Sequence, residues 1–340
     1  MRVLLISQYH PEIVRGGAQT MAYELFHGLR ANAGIAATLL ASADHLTPAL
    51  FKSGTRITGF DGKPDEFLFL SQGYDHVWNK SGDVALAEAF AAFLSLIQPE
   101  IVHFHHFVTL GIDFLTLTRR VLPTARIIFT AHEFLTICAA NGHMLRLTNQ
   151  SLCSYASPLR CHQCLPGHSP EHYFTRDLWM KAHLSVVDHF TVPSRFMIDI
   201  FARWGLPRGI FSVVVNGLDL PPPKPDIALT RPRHRFGFFG QLIDSKGVHL
   251  ILDAVDILRA QGFTAFTVEI NGDNIQFASD DCRAKIETWL ARESDLPFAE
   301  RNVVFNGAYH PDQLAGLMAR VDWCLVPSLW WEVFCLVISE

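Results

Sequence analysis

The sequence predicts an α/β protein built on parallel, doubly wound sheets. Short apolar runs rich in β-branched and aromatic residues alternate with amphipathic helical patterns roughly ten to fifteen residues long. The alternation starts again after a proline-rich segment, and a chain of 340 residues has the usual length of two domains. These observations predict two doubly wound domains whose ligands bind beyond the carboxyl ends of the strands.

Composition and charge argue against several classes of protein. Hydrophobic residues make up 49% of the chain, the formal net charge is −5, and no cluster of lysine and arginine forms the basic stripe that nucleic acid requires. The apolar run at residues 3–6 is too short for a signal peptide, and seven cysteines, an odd count, argue against a secreted disulfide framework. We expect a cytoplasmic protein, with any contact at the inner membrane face limited to a peripheral one.

The first βα unit carries a glycine turn. Residues 2–8 predict a strand and residues 19–32 a helix, with Gly16 and Gly17 in the loop between them. Glycines there let backbone N–H groups at a helix N-terminus approach an anion, so the loop is suited to a phosphate. It lacks the full dinucleotide or P-loop fingerprint, and a tight turn without a ligand explains the pattern as well.

Two further strands are predicted at residues 101–105 and 126–130. A helix that opens at Asp83 and stops at Pro99 precedes the first of them, and a helix near residues 110–120 separates the two. This continues the alternation of a parallel sheet.

Histidines fall at the ends of these strands. Alternation along a strand sends His103 and His105 to the opposite face from His106, which argues against a shared metal site. His132 leaves a strand end directly into a long loop, so it is the better functional candidate. A histidine that only hydrogen-bonds the loop is the alternative.

That loop, residues 133–168, contains four cysteines. Cys161 and Cys164 form a CxxC pair, with Cys138 and Cys153 upstream. Four thiolates are a plausible ligand set for a structural zinc ion, which would pin a loop otherwise too long to be left without structure. Free buried thiols or a redox-sensitive pair are the alternative.

Further βα units complete the first domain. Helical patterns near residues 171–186 and 194–204 alternate with strands at 188–193 and 211–215. The second helix begins after a serine, a preferred N-cap residue.

A stiff segment then separates the two domains. Four of the five residues at 221–225 are proline, which is typical of an extended linker. We place the N-terminal domain at residues 1–218, the linker at 219–233 and the C-terminal domain at 234–340.

The second domain begins as the first does. Residues 235–240 predict a strand, and a turn containing Gly240 and Gln241 leads to a helix that starts at Lys246. A lysine at that point neutralises a diphosphate together with the helix dipole, or else remains solvated in a turn. The remaining elements are strands at 265–270, 302–305 and 322–326 and helices near 281–292 and 311–320.

Two carboxylates, Glu332 and Glu340, flank seven mostly apolar residues at the end of the chain. Pro327 and Ser328 follow a strand predicted to be buried, end the sheet and N-cap a helix. With Glu332 in the turn and Glu340 on the helix, the two lie roughly 12 Å apart, too far for a carboxylate dyad but suited to the two ends of an elongated polar ligand. Two glutamates that merely solvate an exposed helix are the alternative.

Taken in order, these motifs resemble the group 1 (family 4) retaining glycosyltransferases, which use nucleotide sugars. The strongest piece is the pair of glutamates eight positions apart, preceded by Pro327-Ser328. The four-cysteine loop looks like one found in a bacterial subgroup that acts on polysaccharides and related glycans. The supporting motifs are Gly16-Gly17, His132-Glu133, residues 216–219, Gly240 and Lys246-Gly247.

The resemblance implies a GT-B architecture, in which two Rossmann-like domains face each other across a cleft. The second domain would hold the donor and the first the acceptor. By the family pattern Glu332 contacts the transferred sugar, Glu340 the ribose and Lys246 the diphosphate, while His132 lies by the sugar. No catalytic metal is implied, because a lysine and backbone amides can stabilise the departing diphosphate. The donor-binding residues implied are Gly16, Gly17, Gly240, Gln241, Lys246, Ser328, Glu332 and Glu340.

The activity implied is transfer of a sugar from a UDP- or GDP-sugar to a glycan or lipid-linked acceptor, as in bacterial polysaccharide synthesis. Two features depart from the family: Gln241 stands where an arginine is usual, and the chain stops at Glu340. We therefore expect an incomplete second domain, short of roughly 60 residues of further βα units. A non-catalytic nucleotide- or glycan-binding protein and a nucleotide-sugar epimerase of the same architecture are the alternative functions.

Overall fold

A computed structural model describes residues 1–14, 16–43, 51, 54–217 and 233–339. The chain forms two compact units: unit 1 is Met1–Leu218 and unit 2 is Asp219–Glu340. Residues 219–232 of the predicted linker lie outside the described residues, as does Glu340.

Unit 1 is built on a mainly parallel sheet. The sheet has the order β10-β9-β8-β7-β1-β2-β4-β3, in which β3 alone is antiparallel to its neighbour, and β5 and β6 form a separate antiparallel pair. Within the described residues of this unit the strands are β1 Arg2–Ser7, β2 Ala36–Ser42, β3 Ile57–Gly59, β4 Glu66–Phe69, β5 Tyr74–Asp75, β6 Lys80–Ser81, β7 Ile101–Phe104, β8 Arg126–Thr130, β9 His189–Val192 and β10 Phe211–Val213. The helices are α1 Gly17–Arg30, α2 Val84–Ile97, α3 Asp113–Val121, α4 Pro158–Cys164, α5 Pro170–Leu184 and α6 Arg195–Trp204.

Local signals explain where these helices begin and end. The side chain of Asp83 caps α2 by accepting a hydrogen bond from the backbone N–H of Leu86 at 3.1 Å. The helix ends at Gln98, which has φ +46° and precedes a proline. Gly205, with φ +109°, ends α6 in the same left-handed conformation. These caps fix the strand ends that follow each helix.

The cysteine-rich region was predicted to be a loop throughout, and this is wrong for residues 158–164. These residues form α4, which the side chain of Ser157 caps and which contains the CxxC pair. Arg176 of α5 also stabilises the region. Its buried guanidinium donates hydrogen bonds to the carbonyl oxygens of Val77 at 2.6 Å and Leu135 at 2.7 Å. A buried arginine with carbonyl partners orders a segment that its sequence leaves irregular.

Unit 2 repeats the design with a smaller sheet. All pairings are parallel, in the order β13-β12-β11-β14. The apolar face of helix α7, including Val248 and Leu252, packs with Val268 and Ile270 of the sheet in one buried cluster. The strands are β11 Arg235–Phe239, β12 Thr267–Asn271, β13 Val303–Gly307 and β14 Trp323–Leu325. The helices are α7 Val248–Ala260, α8 Asp280–Ser294, α9 Pro311–Met318 and α10 Leu336–Ser339.

Three local predictions for unit 2 are wrong. The helix expected from Lys246 starts at Val248, because Asp244–Lys246 form a 3-10 turn and Gly247 turns left-handed with φ +72°. The strand β14 is largely exposed rather than buried. Ser328 does not cap a helix, since the next helix begins at Leu336; its hydroxyl binds a carboxylate instead.

No helix in the described part of the chain combines the length and the apolar character that crossing a membrane requires.

Candidate functional site

In unit 2, three hydrogen-bond donors converge on one oxygen of Glu332. Its Oε1 accepts from Nζ of Lys246 at 2.6 Å, from Oγ of Ser328 at 2.7 Å and from Nε1 of Trp330 at 2.9 Å. The ammonium of Lys246 also lies 5.0 Å from the centroid of the Trp330 ring. We call these four residues the glutamate cluster. Sequence reasoning placed Lys246 and Glu332 in one site but gave Trp330 no part in holding the carboxylate.

The fold brings the cluster together at one edge of the sheet. Strands β11 and β14 are paired in parallel, so the segments that follow them leave the sheet side by side. The backbone N–H of Leu329 donates to the carbonyl oxygen of Ser245 at 2.8 Å. A Cβ on Gly247 would collide with the carbonyl oxygen of Pro327, and the positive φ of Gly247 also favours glycine. The close approach of the two segments positions Lys246 against Glu332.

The cluster keeps Glu332 ionised at neutral pH. Burial raises the pKa of its carboxyl, but the charge and hydrogen bond of Lys246, with the hydrogen bonds of Ser328 and Trp330, lower it by more, so the pKa lies below its ordinary value. An ionised carboxylate accepts hydrogen bonds from hydroxyl groups, and the neighbouring ammonium attracts phosphate oxygens. The cluster therefore presents an anion and a cation within one small region.

Gly240 and Gln241 begin the turn that leads to the cluster. The N–H of Gly240 donates to the carbonyl oxygen of Asn271 at 3.0 Å, and a Cβ on Gly272 would collide with the carbonyl oxygen of Gly240. The side chain of Gln241 is exposed. The structure thus places both residues after β11, whereas Glu340, the last predicted member of the site, lies outside the described residues.

In unit 1, the glycine turn lies at the start of a helix. Gly16 is the N-cap residue of α1, with extended backbone at φ −167°, and the helix begins at Gly17. A Cβ on Gly16 would lie 2.5 Å from Oε1 of Gln19. No side-chain cap of α1 is found among the described residues, and N–H groups at such a helix start are suited to an anion.

A group of histidines occupies the carboxyl ends of β7 and β8. Nδ1 of His105 lies 3.1 Å from Nε2 of His132, and their rings are close to parallel, at 23°, with centroids 5.3 Å apart. As strand alternation predicted, His103 shares the face of His105, with centroids 4.3 Å apart. Nε2 of His103 also lies 2.6 Å from Oγ1 of Thr130. The structure therefore ties His132 to a buried histidine that sequence reasoning did not connect to it.

These imidazoles are neutral at physiological pH. Burial lowers the pKa of His132 to about 4 and that of His103 to about 3, and it lowers the pKa of His105 well below its ordinary value. Each ring therefore has one donor and one acceptor nitrogen.

Glu133 and His106 form a second pair beside them. Nδ1 of His106 accepts from the backbone N–H groups of Phe107 and Val108, so its proton is on Nε2, which lies 3.6 Å from Oε1 of Glu133. Burial raises the pKa of the Glu133 carboxyl to about 8 even though it accepts a hydrogen bond from the N–H of Leu135. The sequence placed His106 at a strand end and Glu133 in the His132-Glu133 motif, but it gave no sign that the two side chains meet.

The four cysteines predicted to bind zinc line one cavity of about 30 Å3 in unit 1. None of the four forms a disulfide, and Sγ of Cys164 accepts from the backbone N–H of Leu147 at 3.2 Å. Burial raises the pKa of the Cys138 thiol to about 11. Among the residues that the structure describes, no three histidine, cysteine, aspartate or glutamate side chains form an arrangement that could hold a metal ion. The zinc site stays a prediction.

Solved structures with a similar fold include several sugar-handling enzymes. HepE of Anabaena, in complex with UDP-glucose, is 17% identical over 99% of this chain and 77% of its own, with a TM-score of 0.60. An α,α-trehalose-phosphate synthase (UDP-forming) from Burkholderia xenovorans is 12% identical over 99% of this chain and 81% of its own, also with a TM-score of 0.60. The lipopolysaccharide outer core galactosyltransferase WaaB is 14% identical over 96% and 74%, with a TM-score of 0.50. These likenesses confirm the predicted α/β, GT-B fold class.

Comparison of the sequence with known proteins identifies the family. A search of curated protein sequences found no match. Residues 15–221 match the sequence model described as Glycosyltransferase Family 4, and this range is more than half of the chain. The protein therefore belongs to glycosyltransferase family 4 and is a glycosyltransferase of the GT-B type.

Proposed function

We propose that the protein transfers a sugar, with retention of anomeric configuration, from a nucleoside diphosphate sugar to a glycan or lipid-linked acceptor. The observation that carries the proposal is the glutamate cluster. Its cation and its ionised carboxylate stand together where two parallel strands end, which is where ligands bind in doubly wound sheets. A nucleoside diphosphate sugar has phosphate groups that the ammonium of Lys246 can bind and hydroxyl groups that the carboxylate of Glu332 can bind.

Lys246 has the chemistry that departure of the diphosphate needs. Negative charge develops on the leaving phosphate as the glycosidic bond breaks, and a positioned ammonium stabilises it without a metal ion. In the free protein this ammonium pairs with Glu332, so the cation is already held in place before a donor arrives. HepE, whose structure contains UDP-glucose, supports a nucleotide sugar as the donor.

Glu332 is suited to grip the sugar rather than to attack it. A carboxylate that accepts three hydrogen bonds and has a lowered pKa is a weak nucleophile but a good acceptor for sugar hydroxyls. This favours departure and attack on the same face of the sugar over a double displacement through Glu332. WaaB, a lipopolysaccharide galactosyltransferase by its description, supports a glycan or lipid-linked acceptor.

The test is a transfer assay with radiolabelled UDP- and GDP-sugars and a panel of glycan and lipid-linked acceptors. We expect a labelled product whose new linkage keeps the donor configuration by NMR. A product of inverted configuration would refute retention. Donor binding with no transfer and no hydrolysis would instead establish a non-catalytic binding protein, and conversion of the donor without an acceptor would establish an epimerase.

Lys246→Met and Lys285→Met are matched variants for this assay. Each variant removes one lysine of unit 2 that forms an ion pair with a carboxylate. Lys246 pairs with Glu332 in the glutamate cluster, whereas Lys285 of α8 pairs with Asp253 of α7, outside that cluster. We expect Lys246→Met to lose transfer and Lys285→Met to retain it. A lipid-linked acceptor would also bring the protein to a membrane surface, which co-sedimentation with lipid vesicles tests.

A further inference from the structure

His105 has one ring nitrogen with a partner and one without. Its Nδ1 lies 3.1 Å from Nε2 of His132, while none of the described residues makes a hydrogen bond to its Nε2. The side chain is 4% exposed. A buried polar atom without a partner is uncommon in folded proteins and calls for an explanation.

The unpaired nitrogen decides which ring donates. Both rings are neutral, so the 3.1 Å contact joins one N–H to one bare nitrogen. If His132 donated, His105 would carry its proton on Nε2, where a buried N–H would have no acceptor. If His105 donates from Nδ1, its Nε2 is only an unpaired acceptor, which native structures tolerate better than an unpaired N–H.

We infer that His105 is a positioning residue that fixes the tautomer of His132. His105 donates its Nδ1–H to Nε2 of His132, so His132 carries its own proton on Nδ1. The ring of His132, which is only partly buried at the strand end, then has a single donor to offer a ligand. That the ligand is the transferred sugar, with a hydroxyl oxygen as the acceptor, rests on the proposed function.

Neighbouring contacts hold His105 in the orientation that this role needs. Its backbone N–H donates to the carbonyl oxygen of Ile6 at 2.8 Å, and its ring packs at 37° against that of His103. His103 is fixed in turn by Thr130, whose Oγ1 lies 2.5 Å from Oγ1 of Thr191. Strand β1 thus holds the backbone of His105, and His103 of the same strand supports its ring, so that the ring stays in place without a ligand.

Two variants of equal size separate the hydrogen bond from the packing. His105→Asn keeps an N–H donor close to the position of the imidazole Nδ1, whereas His105→Leu has nearly the same shape and no donor. In protein labelled with 15N-histidine, the nitrogen shifts of His132 report its tautomer, and its signals are assigned by their loss in His132→Gln. Thermal unfolding of each variant shows that it is folded.

We expect His132 to be protonated on Nδ1 in the wild type and in His105→Asn, and to change toward the Nε2–H tautomer in His105→Leu. Transfer activity should fall about 10- to 100-fold in His105→Leu and recover most of the way in His105→Asn, as for other residues that orient a functional histidine. An Nε2–H tautomer in the wild type, or an Nδ1–H tautomer retained in His105→Leu, would overturn the inference. The NMR result stands even if no transfer is found, so it is separate from the test of the proposed function.

Discussion

Replacing Lys246 by methionine removes the cation from the glutamate cluster while keeping a side chain of similar length. Glu332 then loses one of the three hydrogen bonds to its Oε1, the only one from a charged donor. The contact of the ammonium with the Trp330 ring is lost as well. The folded state should therefore be less stable at neutral pH.

The expected loss of unfolding free energy depends on how exposed the ion pair of Lys246 and Glu332 is. A hydrogen bond between charged groups contributes about 1.5–3 kcal/mol, and the side chains of Lys246 and Glu332 are 26% and 20% exposed, so the lower end applies. The cation–π contact adds about 0.5 kcal/mol. We expect the free energy of unfolding to fall by about 2 kcal/mol at pH 7.

A double-mutant cycle measures the pair itself. Urea unfolding of the wild type, Lys246→Met, Glu332→Gln and the double variant should give a coupling energy of about 1.5 kcal/mol at pH 7. Lys285→Met is the control, because Lys285 and its partner Asp253 are 31% and 51% exposed and such pairs contribute about 0.2–1 kcal/mol.

The pH dependence has a definite sign. The pKa of Glu332 is lower in the folded protein than in the unfolded chain. The stability that ionised Glu332 contributes is therefore complete above the ordinary carboxyl pKa, and it is lost as the pH falls through the pKa of the folded protein. The coupling energy should therefore be constant from pH 6 to 8, about 1.5 kcal/mol, and should vanish in acid. A coupling energy near zero at pH 7, or one that persists after the carboxylate is protonated, would show that Lys246 does not stabilise an ionised Glu332.

Three further predictions concern stability and metal content. Gly247→Ala should cost about 2–4 kcal/mol of unfolding free energy, since it combines a left-handed backbone with a collision against Pro327. Arg176→Met should cost about 3–5 kcal/mol, because buried carbonyl oxygens lose their charged donor. Metal analysis of protein purified without chelators should find one zinc ion per chain, bound as the thiols that line the cavity of unit 1 draw together. Those thiols are Cys138, Cys153, Cys161 and Cys164.

Each of these has a matched control. Gly262→Ala has a similar positive φ but open space around the added Cβ, so equal losses in both glycine variants would contradict the collision with Pro327. Arg126→Met removes an arginine that is 75% exposed, and a comparable loss there would show that burial of Arg176 is not the cause. If no zinc is found, or if zinc remains bound after the four cysteines are replaced by serine, the predicted metal site is wrong.

Local patterns predicted most of the regular elements. Residues 126–130 form β8 as predicted, and the helix expected at 19–32 spans Gly17–Arg30, because side-chain periodicity and caps are local properties. Strand β2, Ala36–Ser42, was not predicted: it is buried along most of its length and lacks the alternation that distinguishes a strand. The pairs β3–β4 and β5–β6 are too short to leave a periodic signal.

The contacts within the candidate site were beyond what local patterns can show. Lys246 and Glu332 are 86 positions apart, and they meet only because β14 pairs with β11 rather than with β13, the strand before it in the sequence. Local sequence patterns do not predict that order of strands. The contact of His105 with His132 likewise depends on β7 and β8 being neighbours with a particular register. Local patterns in the sequence predict the candidate residues, and the sheet order determines which of them touch.

Calorimetric titration of the protein with UDP- and GDP-sugars shows directly whether the glutamate cluster binds the donor. We predict saturable binding of at least one of them by the wild type and by Lys285→Met, weakened at least tenfold in Lys246→Met, since a lost charge-assisted contact to phosphate is worth about 1.4 kcal/mol or more. Equal affinity in Lys246→Met and the wild type, or no binding of any nucleotide sugar, would contradict the assignment of the glutamate cluster to the donor.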